Sequence, residues 1–222
     1  MSVNINCTHK IIYGAINQSV FAFVPQSAKR ILDIGCGSGI LGRRIKQNIN
    51  CEIVGVTYSE SEATLASKYL DKVLVNDLNS FNSHQLGQFD CIICSHILEH
   101  LYQPQELLKQ LNNNLTSEGV LIVALPNVLH WKQRLEFLKG NFKYTDGGLM
   151  DKTHFRFFDW DTSLTLIENS GFKVTSRSSD GYFPLPLIRK IIQPVAFSLD
   201  KLATKTMPGL FGTQFIIVAQ TA

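Results

Sequence analysis

The stretch Ile31-Leu-Asp-Ile-Gly35-Cys-Gly37-Ser-Gly39 sets three glycines at alternate positions directly behind an apolar run. Glycine lets the backbone turn tightly and approach a ligand at van der Waals distance, and a following helix from Ile40 to Asn48 offers unpaired N–H groups. That combination, with Cys36 inside the turn, is the chemistry of a cofactor cradle. Gly37, Gly39 and Gly42 also fit the G-x-G-x-x-G spacing of dinucleotide-binding turns. The register argues otherwise, because in that fingerprint the first glycine directly follows the strand, and here Gly35 takes that place behind Asp33. A carboxylate facing the pocket repels a pyrophosphate and attracts a cationic ligand. Where a dinucleotide enzyme carries an acidic residue or an arginine to read the ribose, this chain has Thr57 and Tyr58.

The motif Asp33, Gly35, Gly37 and Gly39 resembles the first motif of the class I S-adenosylmethionine-dependent methyltransferases, and the resemblance runs over residues 28 to 180. It implies that residues 33 to 39 hold the methionine and ribose portions of S-adenosylmethionine. The family's acidic ribose ligand at the end of the second strand is absent here; Thr57 stands there, and Glu62, one helical turn on, is the replacement acceptor. Ser59 and Glu62 equally fit a capping box. Asp77, with Leu78 behind it, matches the family's adenine-binding position, although an ordinary Asp turn also fits. Ser95-His96-Ile-Leu-Glu99-His100 resembles the S-x-x-L-E-H stretch beside the methyl donor.

Methyl transfer from a sulfonium is an in-line displacement, and a hydroxyl acceptor must also lose its proton. Candidate bases are His96, Glu99, His100, His130, Asp151 and His154, with Glu99, His100 and His154 the preferred catalytic set. The segment Asp151-Lys-Thr-His154-Phe-Arg156-Phe-Phe resembles one found in bacterial methyltransferases near polysaccharide and lipid biosynthesis, which implies a sugar or similar hydroxyl. It also reads as a clamp, with Arg156 paired to a carboxylate and the phenylalanines buried. His96, Glu99, His100 and His154 together suit a divalent metal that lowers the acceptor's pKa, an option left open beside a metal-free site. Methylation of RNA ribose or of nitrogen, and a non-catalytic cofactor-binding module, are the competing readings.

To position these residues the chain alternates Val- and Ile-rich runs with helical periods, the pattern of a helix-covered parallel sheet. Expected strands are Arg30 to Ile34, Glu52 to Thr57, Lys72 to Asn76, Phe89 to Ser95, Gly119 to Ala124, Phe172 to Ser179 and Phe215 to Ala219. The fold class is α/β, a Rossmann-like three-layer sandwich; the resemblance implies a mostly parallel seven-stranded sheet with its last strand antiparallel. Leu107, Leu108, Leu111 and Leu115 predict one helix opened by Pro104, and Asp161 caps another through Glu168. Trp131, Leu135 and Leu138 predict a third, inside an insert over 126–160. A second, proline-rich insert covers 182–212, and the whole of 1–222 reads as a single domain.

Forty-five per cent apolar residues, of 222, exclude a disordered chain. No apolar run is long enough to span a membrane and the first residues lack a signal-peptide pattern, so a cytoplasmic protein is expected. Cys7, Cys36, Cys51, Cys91 and Cys94 lack a disulfide framework, and Cys91 and Cys94 fall on opposite faces of one strand rather than forming a metal pair. The net charge is +3, and from residue 184 onward Arg189, Lys190, Lys201 and Lys205 against Asp200 account for all of it. DNA is therefore not an expected partner, and a small-molecule or glycan acceptor is. The stripe Leu187, Ile188, Ile191, Ile192 and Val195 reads as a helix on its own protein, with peripheral membrane contact through 187–205 as the alternative. Residues 184–209 are expected to act as a lid, and the oligomeric state is not legible.

Overall fold

Strands with apolar residues on both faces must be covered on both faces, and this requirement builds the molecule. The computed structural model describes residues 16–185 and 192–222. Its strands are β1 (Arg30–Ile34), β2 (Glu52–Thr57), β3 (Lys72–Val75), β4 (Phe89–Ser95), β5 (Leu115–Pro126), β6 (Phe172–Gly181) and β7 (Gly212–Thr221). They form one sheet in the order β3-β2-β1-β4-β5-β7-β6. β1 to β5 pair in parallel, and β7 lies antiparallel between β5 and β6.

The alternation along β1 sorts the two cores. Leu32 and Ile34 pack with Leu107, Leu108 and Leu111 of α4 (Pro104–Asn112) and Ile167 of α6 (Trp160–Glu168). Ile31 faces the other way, toward Val20 of α1 (Gln18–Phe23), Ile45 of α2 (Ile40–Lys46) and Ala66 of α3 (Glu60–Ala66). Each fully buried Leu or Ile contributes roughly 1.5–3 kcal/mol, so both layers are held by the same term. Cys91 and Cys94 fall in opposite cores, as the strand period requires.

Three expectations are corrected. Leu115 does not continue α4; the helix ends at Asn112 and Leu115 opens β5 opposite Phe89, because pairing and burial there outweigh the helical spacing. The cap of α6 is Asp159, whose carboxylate accepts from the Asp161 and Thr162 amides in a complete capping box, with Asp161 in the first turn. The helix α5 (Trp131–Leu138) forms as spaced, yet none of its residues is buried, so its stripe does not face the core.

The second insert carries α7 (Gln193–Thr206) and α8 (Pro208–Phe211). α7 turns Ala196, Asp200, Ala203 and Thr204 inward and leaves Val195, Phe197 and Leu202 exposed beside Lys201 and Lys205. Of the expected stripe, Leu187, Ile188 and Ile191 lie outside the described residues, and Ile192 and Val195 are exposed. Among those described, no helix is long and apolar enough to cross a membrane.

Asn127, fully buried just past β5, ties this insert to the sheet. Its amide donates to the Gly212 and Gly209 carbonyls at 2.7 and 3.1 Å, and its Oδ1 accepts from the Leu129 amide. Asn127→Ala removes all three bonds and leaves buried carbonyls unpaired. The expected cost is about 2–4 kcal/mol, a fall of about 5–10 °C in Tm by calorimetry; an unchanged Tm contradicts this account.

Candidate active site at the carboxyl edge of the sheet

The glycine turn follows β1 without a spacer. The amides of Gly35 and Cys36 both donate to the Val56 carbonyl, at 2.8 and 2.9 Å, which locks the turn to β2. Gly35 has φ +78°, and a Cβ there would come within 2.7 Å of Ile97. Gly37 is also left-handed, at φ +52°, but the space beside it is open. Cys36 is packed against Gly55, and burial pushes its thiol well above the ordinary range, so its side chain is structural. Asp33 is fully enclosed on β1, its Oδ2 has no hydrogen-bond partner, and burial raises its pKa to about 7.

At the end of β2 the Thr57 hydroxyl donates to Glu62 Oε2 at 2.7 Å, so the two expected ribose-side residues form one unit. Ser59 caps α3 by accepting from the Glu62 amide, but the Glu62 carboxylate turns to Thr57, and the capping box is half formed. Tyr58 is 77% exposed. Asp77 is exposed and its Oδ1 closes an Asp turn on Asn79, while the Leu78 side chain joins the core.

Beyond β4 the chain bends sharply. Ser95 ends the strand, His96 takes φ +53°, and a 3₁₀ turn over Leu98–His100 follows. Glu99 is 1% exposed. Its backbone carbonyl accepts from the Phe155 and Arg156 amides at 2.9 and 3.1 Å, docking the second half of the first insert onto the turn. The Arg156 guanidinium donates to the Tyr102 carbonyl rather than pairing with a carboxylate, and only Phe158 of the three phenylalanines is buried. The clamp therefore exists, but it is made by backbone groups.

This docking brings Glu99, His100 and His154 together, with one donor atom of each within 4.8 Å of the others. Hydrogen bonds assign both imidazole tautomers. His154 Nδ1 donates to the Leu149 carbonyl at 3.2 Å. Thr153 Oγ1 gives its proton to Asp151 and so accepts from His100 Nδ1 at 3.0 Å. Both Nε2 atoms are left as lone pairs, and Glu99 Oε2 is buried without a partner. Burial draws the His154 pKa down, assisted by His100 and opposed by Glu99.

His96 does not join the cluster. Its Nε2 meets Gln214 Oε1 at 2.8 Å and its Nδ1 meets Glu99 Oε1 at 3.4 Å. Burial pulls its pKa down, but the hydrogen bond and charge of Glu99, with Gln214, carry the net shift upward. Asp151 serves as a support for Thr153 and His100. His130 lies apart at the end of β5, 2% exposed, with its pKa lowered to about 4 by burial and by Lys132.

Residues 13–177 match a family model described as a methyltransferase domain. The chain belongs to the class I S-adenosylmethionine-dependent methyltransferase family. This methyltransferase domain is 32% identical over 105 residues to the mitochondrial ubiquinone biosynthesis O-methyltransferase of Schizosaccharomyces pombe, a match covering 44% of this chain and 38% of that protein. It is 24% identical over 151 residues to the ubiquinone biosynthesis O-methyltransferase of Rickettsia bellii, covering 65% and 61%. The matched segments thus span less than two thirds of these relatives. A crystal structure of a SAM-dependent methyltransferase from Archaeoglobus fulgidus shares the fold at TM-score 0.62 and 20% identity, covering 88% of this chain and 87% of that one.

Sequence reasoning missed the support behind the methyltransferase domain's cluster. Gln214 on β7 holds His96, accepts from Asn17 at 2.9 Å, and donates to Asp180 at 3.0 Å. Gln214 directly precedes the unbroken apolar run Phe215–Ala219, and nothing in the sequence marks it.

Asp33 sets a pH test. Its folded pKa, about 7, lies above the ordinary aspartate value of 3.8, so its contribution is fully present below pH 3.8 and is lost as pH rises toward 7. Across that window the loss approaches about 1.4 kcal/mol per pH unit. Asp33→Asn is expected to flatten the slope and to be the more stable protein at pH 8 in urea melts without cofactor. Parallel pH profiles for the two proteins contradict the assignment.

Proposed function

We propose that the protein transfers the methyl group of S-adenosylmethionine to a hydroxyl of a small molecule or sugar. The observation that carries this reading is the contact of Gly35 with Ile97, which sets the cofactor turn directly against the segment bearing Glu99 and His100. Two further features support it: the family, and the O-methyltransferase names of its relatives.

When bound, S-adenosylmethionine supplies an electrophilic methyl on a sulfonium; an acceptor oxygen forms the new C–O bond as the C–S pair returns to sulfur. In this reading the Gly35–Gly39 backbone and the Thr57–Glu62 unit orient the nucleoside, with Asp77 at the adenine. Asp33 offers negative charge to the cationic cofactor. His154, kept neutral by burial, takes the acceptor proton at Nε2, and Glu99 stabilises the imidazolium. His100 holds the second imidazole face toward the acceptor.

The same three residues also fit a divalent cation. Both Nδ1–H groups are anchored to the fold, the outer-shell pattern of metal sites, and one ligand atom from each of the three residues lies within 4.8 Å of the others. One carboxylate with two imidazoles suits a softer ion than magnesium, and such an ion would lower the pKa of the acceptor hydroxyl. An RNA acceptor calls for a basic groove, and residues 1 to 183 carry equal numbers of positive and negative charges.

Calorimetric titration with S-adenosylhomocysteine is expected to give micromolar binding, and no binding of NADP. Gly37→Ala is expected to weaken that binding at least about tenfold, since its Cβ enters the space reserved for ligand, and to lower Tm by only about 2–4 °C. No binding by the wild type refutes the reading. For turnover of a hydroxyl acceptor, Glu99→Gln is expected to lose about 10²–10⁴-fold with S-adenosylhomocysteine affinity retained. Activity that survives exhaustive chelation assigns the cluster to proton transfer; loss restored by Mn²⁺ or Zn²⁺ assigns it to a metal.

A further inference from the structure

A cavity of about 440 Å³ opens at the same edge of the sheet. His130 lines it from beyond β5, Tyr182 from beyond β6, and Thr213 from the start of the antiparallel β7. Leu149 lines it too, and the Leu149 carbonyl is the group that anchors His154. The cavity and the Glu99 cluster therefore share a wall.

Its chemistry is uneven. His130 is almost wholly enclosed and its Nε2 has no hydrogen-bond partner, so the imidazole backs the cavity as a neutral wall. The ring packs on Tyr182 at 5.3 Å, which fixes its plane. Burial and Lys132 keep it neutral. Lys132 and Lys143 line the same space, and neither lies within 4 Å of a carboxylate. Lys132 is held over the Tyr182 ring, 5.1 Å from its centroid. Glu136, the acidic residue of the wall, pairs with Lys139 at 2.7 Å and accepts from Asn141 at 2.9 Å; Lys143 acts on it from beyond ion-pair distance, and the single carboxylate is outnumbered by Lys132, Lys139 and Lys143. Tyr182, Leu149 and Met150 complete the surface with apolar area.

We propose that this cavity is the acceptor subsite and that it selects a flat, largely apolar acceptor bearing an anionic oxyacid group, held by Lys132 and Lys143 beside the Tyr182 ring. The inference rests on the methyltransferase reading and adds the substrate class to it. Both lysines are exposed, so a neutral acceptor leaves their ammonium groups to water, whereas an anion gains a charge-assisted hydrogen bond from each. The lysines select charge rather than planar geometry, so a carboxylate and a phosphate both qualify.

The test is calorimetric titration of the full chain, saturated with S-adenosylhomocysteine, with 4-hydroxybenzoate, 4-hydroxyphenyl phosphate and 4-hydroxybenzamide, which share ring and hydroxyl. At least one anion is expected to bind about tenfold or more tighter than the amide, and the tighter of the two identifies the oxyacid. Lys132→Gln with Lys143→Gln is expected to bring all three within about twofold while S-adenosylhomocysteine affinity is unchanged; the Lys→Arg pair restores the preference. Equal binding of the three by the wild type, no binding of either anion at millimolar concentration, or a preference that survives the double Gln variant overturns the proposal. If S-adenosylhomocysteine itself fails to bind, the methyltransferase reading falls; if it binds and the anion preference is missing, only this inference falls.

Discussion

Burying a carboxylate costs several kcal/mol unless opposite charge and hydrogen bonds offset it, and Glu99 is such a carboxylate. Much of the local structure answers that cost. His96 is turned into a left-handed conformation that non-glycine residues seldom adopt, and there its Nδ1 reaches Glu99 Oε1. Gln214 holds the far nitrogen of His96, and Asn17 and Asp180 hold Gln214. Four segments distant in sequence thus converge on one side of one carboxylate. Oε2 is buried with no hydrogen-bond partner, so the group is half satisfied by the fold and half reserved.

The reserved half depends on the first insert. Its chain returns through Gly148–Asp151 and lays two amides on the Glu99 carbonyl, and that backbone contact aligns His154 with the turn. The segment is positioned by main-chain groups, whose geometry tolerates change in the side chains around it. The loop can therefore carry a varied cavity wall on a fixed attachment, which is how binding specificity is commonly added to a rigid sheet.

Regular elements were the legible part. β1, β2 and β4 fall on the residues that their Val- and Ile-rich runs mark, because both faces of these strands are buried and composition alone delimits them. Edges were harder. Leu115 has helical spacing from Leu111, but tertiary pairing with Phe89 decides its state. Asp159 and Asp161 are both competent caps, and the reciprocal bond with Thr162 selects the first. Within the site, Glu99, His100 and His154 were found by residue type and resemblance, and the structure brings those three together. His96 was grouped with them because sequence gives proximity without direction. Gln214 is 118 residues from His96, and no spacing rule reaches across that distance.

β7 lies between β5 and β6, although it follows both in the chain. β6 therefore has no place in the sheet until the last strand arrives, and Tyr182, which β6 delivers to the cavity, waits with it. His96 likewise lacks its Gln214 partner until then. The glycine turn is held by pairings among the first strands, whereas His130, Tyr182 and Thr213 are brought to one cavity through the long-range pairing of β7 with β5 and β6. The glycine turn is thus a construction of neighbouring segments, and the cavity on the far side of the sheet edge depends on the last strand threading between two earlier ones.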